Sequence, residues 1–166
     1  MKYIKTFEYF GDGAHAAYDN DAGEAFWGNI AAGCLPISTE TKRILVCYRS
    51  SYVNEPNTMG LWGGKVEEGD KLEDTVINEF EEETGYRDYI ELIPAFIFRN
   101  NNRTFEYHNF IGIIDKEFKP TLNWESDGYK WVTFDELLKL RNKHPGLKLL
   151  LKDDKTIRII KDIINQ

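Results

Sequence analysis

The sequence predicts an α/β fold, a sandwich in which β-strands surround one central helix and further helices follow it. Segments rich in β-branched and aromatic residues stand on both sides of an acidic helical segment. The last segment has Ile157, Ile160 and Ile164 at helical spacing. A chain of 166 residues is long enough for one core and short for two, so we expect a single domain over residues 1–166.

The elements before the central helix are predicted from alternation and turn residues. Residues 2–10 alternate enough to form a strand, the glycines at 11 and 13 make a turn, and the small, polar stretch 14–24 is typical of a loop. The N-terminal strand and loop therefore occupy 1–26. Further strands are expected at 27–37, 43–48 and 59–66, with an irregular loop over 50–58.

The central helix has clear end signals. Asp70 is a suitable N-cap with Glu73 three residues on, and Gly85 supplies a left-handed residue at the C-terminal end. Strands at 89–99 and 104–114 around an asparagine-rich turn predict a hairpin. A short strand at 129–133, a helix over 134–140 capped by Thr133, and a C-terminal helix at about 156–165 complete the prediction.

Composition and charge exclude several classes of protein. No apolar run is long enough to span a bilayer, and the N-terminus lacks a continuous apolar segment, so we expect a cytoplasmic protein with no membrane partner. A net charge of −7 argues against coating of nucleic-acid backbones. Cys34 and Cys47 are isolated, which favours buried free thiols over a zinc site or a disulfide.

The acidic helix is the most informative segment. Within the predicted helix, which Gly85 ends, Glu79, Glu82 and Glu83 have no Lys or Arg one helical turn away. On a helical wheel Glu83 lies within about 20° of Val76, which belongs to the apolar stripe, and Glu79 borders the same stripe. A solvated acidic face is the ordinary interpretation. Carboxylates at a half-buried edge repel one another unless a divalent cation is present, so we favour a site for Mg²⁺ or Mn²⁺.

The same residues resemble a family motif. Gly64, five residues, Asp70, seven residues and then the run NEFEEETGY from Asn78 to Tyr86 resemble the Nudix box. The positions that match are Gly64, Glu79, Phe80, Glu82, Glu83, Gly85 and Tyr86. The resemblance implies a Nudix-type α/β/α sandwich with a mixed central sheet. It also implies a metal-dependent pyrophosphohydrolase that cleaves a nucleoside di- or triphosphate derivative, a nucleotide-derived small molecule.

The resemblance also assigns roles. It implies that Glu79, Glu82 and Glu83 hold the divalent metal together with the Gly64 carbonyl, and that Glu79 helps to orient or deprotonate water. We take Glu125 as the candidate general base outside the box, with Asp127 as the alternative. Two positions depart from the motif: its arginine is Asn78, which adds no charge, and its first glutamate is Asp70, which we interpret as a helix cap.

Residues that contact substrate are less clearly signalled. Arg49, Lys65 and Arg103 are candidates to bind phosphate, although surface charge is the commoner role for such residues. Aromatic strand residues that might stack on a base, and equally might belong to the core, are Trp62, Phe105 and Tyr107. His15, His108 and His144 show no ligand spacing and receive no role.

Three functions stay open at the level of sequence. The first is the pyrophosphohydrolase. The second is a catalytically weakened Nudix-fold module that binds nucleotides or regulates, for which Asn78 is the main support. The third is a protein-interaction domain that uses its acidic face. The nucleotide derivative is not identified, and both a monomer and a homodimer are compatible with the sequence.

Overall fold

A computed structural model describes residues 30–101 and 103–166, so the strand predicted at 2–10 and the loop at 14–24 lie outside the described residues. The strands are β1 (Ile30–Ser38), β2 (Ile44–Arg49), β3 (Met59–Gly60), β4 (Trp62–Lys65), β5 (Glu91–Arg99), β6 (Glu106–Ile114) and β7 (Ser126–Val132). The helices are α1 (Leu72–Thr84), α2 (Phe134–Lys139), α3 (Pro145–Leu150) and α4 (Asp154–Ile164).

The seven strands form one mixed sheet, as predicted. β1 and β6 run parallel in register from Ile30↔Glu106 to Ser38↔Ile114, and every other strand pair is antiparallel. The order along the sheet is β3-β2-β1-β6-β5, with β4 paired to β1 and β7 paired to β2. The β5–β6 hairpin expected from the asparagine-rich turn is present.

The double-glycine segment lies where β1 and β2 separate. These two strands pair at Ile37↔Ile44, next to the turn that joins them. Farther from the turn, β3 pairs with β2 and β4 pairs with β1, so one stretch of chain crosses from one strand to the other. Gly63 lies opposite Gly33, and a Cβ atom on Gly63 would lie 2.3 Å from the Ala32 carbonyl oxygen and the Gly33 Cα. Close backbone packing therefore requires glycine at position 63.

Helices cover both faces of the sheet, which confirms the sandwich. On one face Val76 and Phe80 of α1 pack with buried Trp62, and the Phe80 and Trp62 rings lie edge-to-face with centroids 6.1 Å apart. On the other face Leu137, Leu147 and Ile160 bring α2, α3 and α4 onto the sheet. Each face therefore has its own apolar core.

The helix ends test the capping predictions. Gly85 ends α1 in the left-handed conformation at φ 74°, and Thr133 forms a capping box with Glu136 at the start of α2, both as predicted. The cap expected at Asp70 is wrong: α1 has Lys71 at its N-cap position, with no side-chain cap bond. The sequence also gave no sign of α3, whose His144 Nδ1 accepts a hydrogen bond from the Gly146 amide.

Two expectations from composition are also tested. Cys34 and Cys47 are buried free thiols, as expected, and burial raises the pKa of Cys47 to about 12. None of the helices in residues 30–101 and 103–166 is long and apolar enough to cross a membrane.

Candidate functional site

The turn between β4 and α1 lies directly beneath the Glu79 carboxyl group. A Cβ atom on Gly64 would lie 2.3 Å from Glu79 Cδ and 2.5 and 2.7 Å from its two oxygens. Because glycine has no Cβ, the carboxyl group of Glu79 rests against the main chain at position 64. Glu79 is 6% exposed. The backbone of Gly64 and the side chain of Glu79 are therefore in direct contact.

Glu83 is held to the same turn by Gly63, the other glycine of the pair. The Gly63 amide donates a hydrogen bond of 2.9 Å to Glu83 Oε2, and Glu83 is 4% exposed. Burial raises the pKa of the Glu83 carboxyl well above its usual range, and the charges of Glu125 and Glu79 raise it further. The Gly63 hydrogen bond and the positive charge of Arg49 act in the opposite direction.

Glu125 lies near Glu83, although it belongs to a different part of the chain. It lies just before β7, is 5% exposed, and is close enough to Glu83 for its charge to raise the Glu83 pKa. Its carbonyl accepts a hydrogen bond of 2.9 Å from the Ser50 amide, and its own amide donates to Asn123 Oδ1 at 3.0 Å. The fold thus brings together three buried carboxyl groups, which we call the carboxylate cluster: Glu79, Glu83 and Glu125.

The remaining acidic candidates are exposed. Glu82 lies on the solvent side of α1 next to exposed Asn78, and Asp127 is exposed on β7. Among the residues that the structure describes, no group of three or more His, Cys, Asp or Glu side chains is already arranged to hold a metal ion. The assignments of metal ligands and of a general base at Glu125 or Asp127 stay predictions.

Arg49 is the candidate whose position differs most from the one expected from the sequence, because its side chain is buried. It is the last residue of β2 and is 5% exposed, so it belongs to the interior next to the carboxylate cluster. Its Nε and Nη2 atoms donate hydrogen bonds to the Asn54 carbonyl at 2.9 and 2.6 Å. The sequence predicted a phosphate contact or a surface charge; the burial excludes the surface position and had no local signal, and the phosphate contact stays a prediction.

The other substrate candidates are Lys65, Arg103 and Phe105. Lys65 Nζ pairs with Glu67 at 3.2 Å, and Arg103 is exposed in the β5–β6 turn with φ 55°. Phe105 packs near Phe98 with ring centroids 6.5 Å apart. These three contacts with substrate stay predictions. Trp62 is fully buried and donates to the Leu45 carbonyl, so it serves the core.

A double-glycine turn beneath an acidic helix, in a mixed sheet covered by helices on both faces, defines an α/β protein of the Nudix class. The model of the NUDIX domain matches residues 28–153, and the chain belongs to this family. No protein with a curated function matches the sequence.

Solved structures agree on the fold. RenU, a Nudix hydrolase from M. smegmatis, is 19% identical with a TM-score of 0.67, over 82% of this chain and 88% of that one. An Ap4A hydrolase from C. elegans is 16% identical with a TM-score of 0.59, over 74% and 93% of the two chains. The NUDIX domain of Shewanella oneidensis NrtR, solved with ADP ribose, is 16% identical with a TM-score of 0.57, over 90% and 97%.

Proposed function

We propose that the whole chain is one Nudix domain that hydrolyses a pyrophosphate bond in a nucleoside di- or triphosphate derivative. The observation that carries this proposal is the carboxylate cluster against the Gly63–Gly64 turn. Glu79 and Glu83 are buried on one helix, and Glu125 joins them from a distant segment. Folding that brings three acids together at a cost in repulsion is typical of functional sites.

The residues of the site fit a divalent cation, Mg²⁺ or Mn²⁺. Carboxylate and carbonyl oxygens are the ligands that these ions prefer, and the pKa of Glu83 is raised in part by the charges of its acidic neighbours, which a cation would offset. We propose Glu79, Glu82, Glu83 and the Gly64 carbonyl as its ligands. Glu82 is exposed, and its long side chain has several rotamers, some of which would bring its carboxylate towards an ion.

Residues of this chain would activate the water and bind the substrate. When bound, the cation would neutralise charge on the pyrophosphate oxygens and make water a better nucleophile. Glu79, held against Gly64, would orient the water or take its proton, and Glu125 is the alternative general base, because a base must stand beside the water it deprotonates. Lys65 and Arg103 would meet the substrate phosphates, and Phe105 would contact the base.

A decisive experiment measures product release from a panel of nucleoside diphosphate derivatives with Mg²⁺ or with Mn²⁺. We expect phosphorylated products from at least one compound, and a loss of roughly 100-fold or more in kcat for Glu83→Gln and Glu82→Gln. The matched control is Glu81→Gln, because Glu81 lies on the same helix and pairs with Arg87 at 2.8 Å. Hydrolysis in ¹⁸O-labelled water identifies the phosphorus that is attacked. Wild-type protein that releases nothing, or mutants that match it, would refute the hydrolase.

A second function is favoured by one observation, the uncharged Asn78 at the arginine position of the box. Under this alternative the chain is a catalytically weakened module that binds nucleotides or regulates, and one structural neighbour, the NUDIX domain of NrtR, was solved in complex with ADP ribose. Mg²⁺ and a nucleotide would then raise the melting temperature without product release. A protein-interaction domain predicts no effect of divalent ions at all.

A further inference from the structure

Two glycines on neighbouring strands allow a close approach of main chains in the middle of the sheet. Gly33 of β1 lies opposite Gly63 of β4. A Cβ atom on Gly33 would overlap the Tyr107 hydroxyl group and would lie 2.6 Å from the Trp62 carbonyl oxygen. The hydroxyl of Tyr107 therefore occupies the place that a side chain at position 33 would take.

Tyr107 lies on the face of the sheet opposite α1. It pairs with Ala31 across β6 and β1, and both residues belong to a small apolar cluster of their own. Ala32, the next residue of β1, packs with Val76 of α1, and successive residues of a strand face opposite sides. Tyr107 is 4% exposed, so it has little surface for a substrate.

One peptide group lies between this hydroxyl and the acids on the other face. Its carbonyl group, that of Trp62, lies beside Gly33. Its amide group, that of Gly63, donates the hydrogen bond of 2.9 Å to Glu83 Oε2. A peptide group is planar, so a rotation that moves the oxygen also turns the N–H. The direction of the Gly63 N–H therefore depends on what packs beside the Trp62 carbonyl.

We propose that Tyr107 is a positioning residue that fixes the Trp62–Gly63 peptide from the face opposite α1 and so holds the Gly63 amide towards Glu83. Neither Gly33 nor Gly63 has a Cβ atom to limit its backbone, and without the hydroxyl the space beside Gly33 would be unfilled. This role differs from the base contact considered from the sequence. The proposal rests on the proposed function for its kinetic test alone.

The first test measures hydrogen exchange at the Gly63 amide and needs no turnover. Tyr107→Phe removes only the hydroxyl group and should raise the exchange rate of this amide about 3- to 10-fold. Tyr107→Leu also removes the end of the ring and should raise it about 10-fold or more. The Ser38 amide bonds to the Arg43 carbonyl at the far end of β1, so its exchange should change only as far as global stability does.

The matched control for this test is Phe98→Leu. Phe98 packs in the same cluster as Tyr107 and pairs with it across β5 and β6, but it lies one strand farther from Gly33. Its substitution should lower the melting temperature and affect the Gly63 and Ser38 amides equally. Equal increases at both amides in the Tyr107 variants would show that Tyr107 only packs, and the proposal would fail. If Tyr107→Leu does not fold, Tyr107→Phe decides alone.

The second test is kinetic. Tyr107→Leu should lower kcat about 10-fold while KM changes less than about threefold, because the acid that Tyr107 positions is displaced and no substrate contact is lost. Tyr107→Phe should fall between that variant and wild type, and Phe98→Leu should leave kcat within about twofold. An effect mainly on KM would make Tyr107 a substrate contact and overturn the proposal. If wild-type protein hydrolyses nothing, the exchange test still decides the role of Tyr107 separately from the proposed function.

Discussion

The Gly63 amide and the Glu83 carboxyl group are joined by a hydrogen bond of 2.9 Å between β4 and α1. The next residue, Gly64, lies against the carboxyl group of Glu79. Two adjacent glycines thus contact two acids one helical turn apart, so the main chain of the turn and the face of the helix are positioned by each other.

Substitution by alanine should have different effects on stability and activity at Gly63 and at Gly64. A Cβ on Gly63 would strike the backbone of β1, which cannot move, so Gly63→Ala should destabilise the fold by several kcal/mol, about 3 or more. A Cβ on Gly64 would meet the end of the Glu79 side chain, which can rotate away. Gly64→Ala should therefore keep a near-native melting temperature and lose activity roughly 100-fold. Unfolding by denaturant, measured beside kcat, separates the two effects, and equal destabilisation of both variants would contradict the geometry.

Glu83→Gln should stabilise metal-free protein in a pH-dependent way. Because the folded pKa of Glu83 is raised, its protonated form favours folding at low pH, and that contribution is lost as pH rises through the folded pKa. Gln keeps an oxygen for the Gly63 amide and carries no charge. The melting temperature in EDTA should exceed that of wild type at pH 8 and match it near pH 4. A gain that is independent of pH would contradict the assigned repulsion.

Thr75 and Thr84 form a matched pair on α1. Both are buried, but Thr75 Oγ1 has no hydrogen-bond partner among the described residues, whereas Thr84 Oγ1 donates to the Phe80 carbonyl at 2.5 Å and accepts from the Tyr86 amide. Thr75→Val should raise the free energy of unfolding by about 1 kcal/mol, and Thr84→Val should lower it by about 1 kcal/mol or more. Chemical denaturation of the two variants checks the signs. The same sign for both would show that burial of the added methyl group, and not the hydrogen bonding of the hydroxyl, dominates.

Asn78→Arg should stabilise α1 by adding a positive charge beside its acidic side chains. Position 78 is exposed, and an arginine there has Glu82 four residues on and Glu81 three residues on. Each such pair is worth about 0.2–0.5 kcal/mol at low salt. Asn78→Ala controls for helix propensity, which salt does not screen. The difference between the two variants should shrink in 1 M NaCl (a condition chosen to screen surface charge), and a difference that persists would exclude pairing.

Local sequence patterns were enough to predict most of the strands and helices. The strand predicted at 104–114 is Glu106–Ile114, and the strand predicted at 43–48 is Ile44–Arg49, because period and turn residues act over a few positions. The six-residue helix Pro145–Leu150 was missed because two turns are too short to show a period. The cap at Asp70 was wrong because the first turn of α1 begins one residue later, with no side-chain bond.

For the site, the sequence by itself determined which acids exist and which of them face inward on α1. Periodicity is a property of one helix, so it predicted that Glu79 and Glu83 border the apolar stripe, and both are buried. Only the tertiary structure determined which residues from other segments lie beside Glu79 and Glu83. Glu125 and Arg49 come from segments joined by the pairing of β2 with β7, far along the chain from α1. Such contacts depend on strand pairing between distant segments, which no local pattern encodes.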